Sequence, residues 1–87
     1  MDDIYFLVIC SLVSACVLIR TVHGRFEDVV NSFRNWKTVK RVFPTLGRYD
    51  VVVDLEVSDL KELNATVLRM GNFAGVVFTE TLVEIQH

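Results

Sequence analysis

Between Tyr49 and Val57 the side chains alternate with a period of two. Val51, Val53, Leu55 and Val57 take one side; Asp50, Val52, Asp54 and Glu56 take the other. Successive side chains on a strand point to opposite faces, so this segment is a β-strand with one uniformly apolar face. Such a face needs a sheet and a second layer of structure to cover it. Just before it, Val39 to Thr45 forms a shorter strand. Pro44 has no N–H to give to a ladder, so that strand belongs at a sheet edge. Leu46-Gly47-Arg48 is the turn between the two.

The flanking segments supply the second layer. Phe26, Val29, Val30 and Phe33 recur at helical spacing, with Glu27, Asp28, Asn31, Ser32 and Arg34 opposite them. This predicts an amphipathic helix over about residues 25–35, its acidic residues in the first turn where the helix dipole favours them. Trp36 closes the apolar stripe. After the alternating strand, Ser58 and Asp59 open a second helix, and Asp59 with Glu62 has capping-box spacing. Leu60, Leu63, Val67 and Leu68 are its expected buried stripe. Gly71 or Asn72 suits the left-handed cap position. Residues 15–21, ended by His23-Gly24, and residues 76–85 read as further strands.

The order is strand, helix, strand, strand, helix, strand. It predicts an α+β fold of the ferredoxin-like βαββαβ type, a four-stranded antiparallel sheet with two helices on one face. The other sheet face stays open. It carries either Cys16 and Leu18 or Val17 and Ile19, with Val52, and with Phe78 or Val77 and Val83. The 87 residues suffice for one domain, and 52% are hydrophobic against 23% charged. A domain this small buries only about 60–65% of its unfolded surface. The surplus of apolar residues therefore predicts a homodimer with the open faces packed together, as in a dimeric α+β barrel.

Residues 1–14 stand apart as an apolar N-terminal extension, with the domain proper over residues 15–87. Ile4 to Ile19 is interrupted only by Ser11 and Ser14. That run is shorter than the about 20 residues a membrane-spanning helix needs. The acidic Asp2 and Asp3 do not suit a signal peptide. Ile4 to Cys10 is expected to form an extra strand or short helix against another subunit. Cys10 and Cys16 read as buried free thiols of a cytoplasmic protein. The net charge of −2 and the scattered Lys and Arg residues argue against direct nucleic-acid binding. No His-Cys spacing suggests a metal, and no cofactor is expected. His23 reads as a turn histidine without a nucleophile or orienting carboxylate. The Asn64-Ala65-Thr66 sequon falls inside a helix.

Gly47-Arg48-Tyr49-Asp50, placed between the second and third strands and followed by alternating valines, resembles the Gly-x-Tyr-Asp motif of the Lrp/AsnC regulators. Gly75-Val76-Val77 followed by Thr79-Glu80-Thr81 is similar to their closing strand. Ala15 to Gly24 and Leu60 to Leu68 resemble the first strand and second helix. The resemblance spans about residues 15–86 and points to the C-terminal effector-binding (RAM) domain. The helix-turn-helix of the family's regulators has no counterpart in this sequence, which looks like a stand-alone version.

The resemblance implies an amino acid or related small metabolite as ligand, and assembly into dimers or a ring of dimers. It also implies mixed assembly with full-length regulators of the family. Gly47, Arg48, Tyr49, Asp50, Thr79 and Thr81 are the ligand-binding candidates. Gly47 permits close backbone approach, and Asp50 suits an ammonium group. Both also fit a plain hairpin, Gly47 as the turn glycine and Asp50 as a strand-initiating residue. Parity places Asp50 with Val52 on the open sheet face. No residue is assigned a catalytic role. The competing classes are a small α+β-barrel enzyme, which needs a polar pocket, and a membrane-tethered interaction protein using Ile4 to Ile19.

Overall fold

The structure is a computed structural model that describes residues 12–85. The Ile4–Cys10 segment expected to add a strand or helix lies outside the described residues, as does Cys10. The strands are β1 (Val13–Thr21), β2 (Val39–Pro44), β3 (Val51–Val57) and β4 (Val76–Val83). Between them run α1 (Phe26–Phe33) and α2 (Leu60–Gly71). The sheet order is β2-β3-β1-β4, and every neighbouring pair is antiparallel. This is the ferredoxin-like arrangement, with Pro44 on an edge strand.

Strand parity decides which side chains meet the helices. Val17 and Ile19 of β1 lie opposite Val53 and Val51 of β3. All four are fully buried, with Val29 and Phe33 of α1 and Met70 of α2. Of the two sets left open on β1, Cys16 and Leu18 take the exposed sheet face and share it with Val52 and Asp54. Phe33 also anchors the end of α1, with the Trp36 ring at 4.7 Å and the Phe73 ring at 5.1 Å. Phe26, expected in the same stripe, is 37% exposed because it starts the helix beyond the end of the sheet.

The α2 stripe differs from the expected one. Leu63, Thr66 and Met70 are buried and Val67 half-buried, while Leu60 and Leu68 are exposed. At 3.6 residues per turn Leu68 lies about 140° around the axis from Leu63 and cannot share its face. Leu60 belongs to the first turn, over a shallow groove beside Thr81. The N-terminus of α2 is built as the spacing implied: Asp59 accepts from the Glu62 backbone N–H at 2.8 Å. The Glu62 carboxylate reaches back one residue further than a capping box requires, accepting from the Ser58 N–H and hydroxyl, both at 2.8 Å. Neither Gly71 nor Asn72 is left-handed. Gly71 is helical and Asn72 has φ −91°. The left-handed position falls on Gly75 (φ 97°), whose carbonyl accepts from the Val22 N–H at 2.8 Å. A Cβ there would stand 3.3 Å from Arg25 Cβ, so both backbone angle and space call for glycine.

Two irregularities shape the sheet. The β1–β4 register shifts between Arg20 and Thr21, and the β2–β3 register shifts around Lys40. At the opposite end of β1, Ala15 pairs with Val83, and the Glu84 N–H bonds the Ser14 carbonyl at 2.9 Å. The first and last strands therefore begin and end side by side.

Candidate functional site

β1 and β2 are each antiparallel to β3, which lies between them, so they run in the same direction. The turns that follow them emerge at the same end of the sheet. One carries Val22-His23-Gly24 into α1; the other carries Thr45 to Asp50 into β3. Within the second turn the Thr45 hydroxyl bonds the Tyr49 carbonyl at 2.7 Å and the Thr45 N–H bonds the Asp50 carbonyl at 2.9 Å. Gly47 has φ 130° and open space where a Cβ would be.

Asp50 ties the two turns together. Its N–H bonds the Ile19 carbonyl at 2.8 Å. Its Oδ2 accepts from the Thr21 N–H at 2.7 Å and from the Thr21 hydroxyl at 3.3 Å. A strand N–H lies near the sheet plane, so its acceptor does too. The Asp50 carboxylate thus continues the β1–β3 ladder in the plane of the sheet, and does not rise from the open face as parity implied. β3 begins at Val51, and the alternation that orients its side chains does not extend one residue back into the turn.

Beside this carboxylate lies a concavity of about 510 Å³. Thr21, Thr45 and Asp50 line it, as do His23 and the backbone of Gly24. Its apolar walls are Val22, Phe26, Pro44 and Leu46. Of the six candidate residues only Asp50 lines it. None of the other eight lining residues carries a local sequence signal for a site: His23 has the pattern of a turn residue and Phe26 that of a core residue. The topology held the missing signal, because strands of the same direction bring their following turns together.

The remaining candidates lie elsewhere. The Tyr49 hydroxyl bonds the Glu80 carboxylate on β4. That bond raises the phenol above its ordinary range, burial and the Glu80 charge add to it, and Arg48 and Arg20 oppose it. The Arg20 guanidinium lies 5.9 Å from the Tyr49 ring centre and 5.8 Å from that of Phe78. Thr79 and Thr81 pair with Ile19 and Val17, which puts them on the helix-facing side of β4. Gly47 and Arg48 form the tip of the turn and do not line the concavity.

The open sheet face has a mixed character. Cys16, Leu18 and Val52 are half-buried, and Phe78 and Leu82 of β4 are about half exposed. Burial pushes the Cys16 thiol up, and the neighbouring Asp54 adds to the rise. Toward β2 the face is charged, with Lys40 3.3 Å from Glu56 and Arg41 3.9 Å from Asp54. Among the described residues no cluster of His, Cys, Asp or Glu could hold a metal ion. No helix there is long and apolar enough to cross a membrane.

A family model for the Lrp/AsnC ligand binding domain matches residues 14–87. Among curated proteins the chain is similar to the HTH-type transcriptional regulator FL11 of Pyrococcus abyssi. The two are 28% identical over 72 residues, 83% of this chain and 48% of that regulator. The chain spans about half the length of the curated relatives it matches. Among solved structures, TTHA0845 from Thermus thermophilus superposes with a TM-score of 0.81 and 29% identity, covering 86% of this chain and 95% of that one. The transcriptional regulator NMB0573 from Neisseria meningitidis, solved as an L-Met complex, gives a TM-score of 0.80. It is 20% identical, with 93% of this chain and 54% of that one covered, and shares the fold. A complete βαββαβ sheet, a Gly-x-Tyr-Asp turn at its end and a family match over residues 14–87 lead to one assignment: the chain belongs to the Lrp/AsnC family, through its ligand binding domain.

Proposed function

We propose that this domain binds an amino acid or related small metabolite at the Asp50 end of its sheet, at a junction between copies of the chain. Binding then modulates transcription regulators of the family in the cytoplasm, including full-length members with which it co-assembles. The observation that carries this reading is the concavity of about 510 Å³ that opens beside the half-buried Asp50 carboxylate. Both bonds from Thr21 fall on Oδ2. Oδ1 is therefore the oxygen for a ligand ammonium, in a charge-assisted bond strengthened by partial burial. Gly47, Arg48 and Tyr49 frame the turn that holds Asp50. Thr79 and Thr81 enter a ligand site only where a neighbouring copy brings its β4 to the concavity. The L-Met complex of the Neisseria meningitidis regulator supports an amino acid as the ligand class.

The reading is of a binder and not an enzyme. Among the described residues of the site the one carboxylate, Asp50, is tied to a backbone N–H, and the remaining walls are mostly aliphatic or aromatic, which suits recognition better than proton transfer. A thermal-shift screen of the intact chain against the twenty amino acids tests it. A ligand present at a hundred times its Kd adds about 2.7 kcal/mol of stability. Failure of every amino acid at millimolar concentration to raise the midpoint overturns the reading.

A further inference from the structure

We propose that the groove between α2 and the α1–β2 turn, built around Trp36, Lys37 and Arg69, is a binding site for an oxyanion, the phosphate or carboxylate group of a small ligand. It is separate from the site at Asp50 and does not depend on it. The groove has a volume of about 470 Å³ and lies on the helix side of the sheet. Thr38 in its wall accepts from the Glu56 N–H at 3.0 Å, toward the end of β3 away from Asp50. The groove therefore belongs neither to the open sheet face nor to the Asp50 end.

Local sequence sets its shape. Along α2, Glu62, Ala65 and Arg69 fall at i, i+3 and i+7, one stripe about 10 Å long. The small Ala65 between two long side chains leaves the notch. The opposite wall is the turn after α1, whose backbone is closed twice. The Trp36 N–H bonds the Phe33 carbonyl at 3.0 Å, and the Val39 N–H bonds the Trp36 carbonyl at 3.1 Å. The Trp36 ring packs 4.7 Å from that of the fully buried Phe33. Arg69 lies over the Trp36 ring, its guanidinium carbon 4.3 Å from the ring centre.

A guanidinium held on an aromatic ring keeps its N–H edge for an acceptor, with less freedom left to lose on binding. That edge matches a carboxylate or phosphate in bidentate fashion. Lys37 brings a second positive charge to the same groove, and Asn35 an amide donor. Among the described residues neither Lys37 nor Arg69 is ion-paired with a carboxylate. The one acid among these lining residues is Glu62, whose Oε1 is taken by the Ser58 N–H and hydroxyl. Those bonds hold its carboxyl low, and the Lys37 charge lowers it further. Glu62 thus stays ionised and opposes an incoming anion. Two cations against one acid leave the groove positive, in a chain whose net charge is −2. All three charges are exposed, so salt screens them and the affinity is modest.

Trp36 is the one tryptophan of the chain, so its emission reads this groove directly. The intact chain at pH 7 is titrated with pyrophosphate, with succinate, and with potassium chloride at matched ionic strength. At least one of the two oxyanions is expected to give a saturable change with a dissociation constant of about 1 mM or below, and chloride none. Saturation by pyrophosphate alone makes the ligand a phosphate compound, and by succinate alone a carboxylic acid; either result, or both together, supports the proposal. No saturation by either oxyanion up to about 10 mM, or the same change with chloride, overturns it. Three exposed positions locate the anion. Arg69→Lys, which keeps the charge and loses the fork, is expected to weaken binding by about fivefold or more, and Lys37→Gln by about threefold. Glu62→Gln, which removes the like charge, is expected to tighten it by about twofold. Unchanged affinity in either of the first two, or weaker binding in the third, places the anion elsewhere and overturns the proposal.

Discussion

Asp50 closes the β1–β3 ladder at the point where its backbone partners run out. Its Oδ2 stands where the carbonyl of a longer β3 would, and the Thr21 N–H is half-buried beneath it. Removing the acceptor leaves that donor without its bond, at a cost of about 1–3 kcal/mol. Asp50→Ala is therefore expected to lose stability by that amount in urea unfolding, and Asp50→Asn much less, because the amide oxygen takes over the bond. Equal losses in the two variants would show that charge, and not the hydrogen bond, holds the turn. The same residue illustrates how far pattern reading extends. The turn and the acid at its end were legible from Gly47 to Asp50. The side-chain direction was not, because parity is a property of a strand and Asp50 precedes its first residue. His23 and Phe26 were hidden for a different reason: their place in the concavity depends on where a distant hairpin lands, which no local pattern records.

At the level of elements, the strands were more legible than the second helix. A period of two allows two faces, and the valines of β3 choose between them without ambiguity. On α2 the leucines and valine at 60, 63, 67 and 68 span more than one face, so apolarity alone selects no stripe; contact with the sheet does, and it buries Thr66 while leaving Leu68 in water. Leu68→Gln is thus expected to change stability by no more than about 0.5 kcal/mol. Met70→Ala, at a fully buried position, is expected to cost about 2–5 kcal/mol. Chemical denaturation of the two variants checks the assignment, and a large loss at Leu68 contradicts it. The start of α2 also carries a pH signature. The bonds from Ser58 hold the Glu62 carboxyl below its ordinary value of 4.5. A lowered folded pKa means that the unfolded chain binds the proton more readily. The stabilisation is therefore complete above 4.5 and is lost as pH falls through the lowered value. Wild type is expected to be more stable than Glu62→Gln at pH 7, with the gap closing in acid; a gap constant from pH 7 to pH 3 would rule out this contribution.

On the scale of the whole sheet, one side is closed by helices and the other, which carries Cys16, Leu18, Val52, Phe78 and Leu82, has no second layer among the described residues. The surplus of apolar residues in the sequence leads to the expectation that a second copy of the chain covers such a face. Leu18→Arg, at the centre of that face, is expected to shift light scattering from dimer or larger to monomer while circular dichroism stays native; an unchanged mass would move the contact elsewhere. The topology that makes this face was legible in the order of the elements, since a βαββαβ chain has few ways to close a sheet. That topology also fixes how the domain bears load. Ser14 and Glu84 are bonded neighbours at one corner, so a tether pulling on both ends strains the β1–β4 pair from its tip. The bonds then break in succession, as in a zipper, and the load is never shared across the ladder. The domain is mechanically soft along the line joining its ends, and tension there would peel away β4 first while α1, β2 and β3 still hold together.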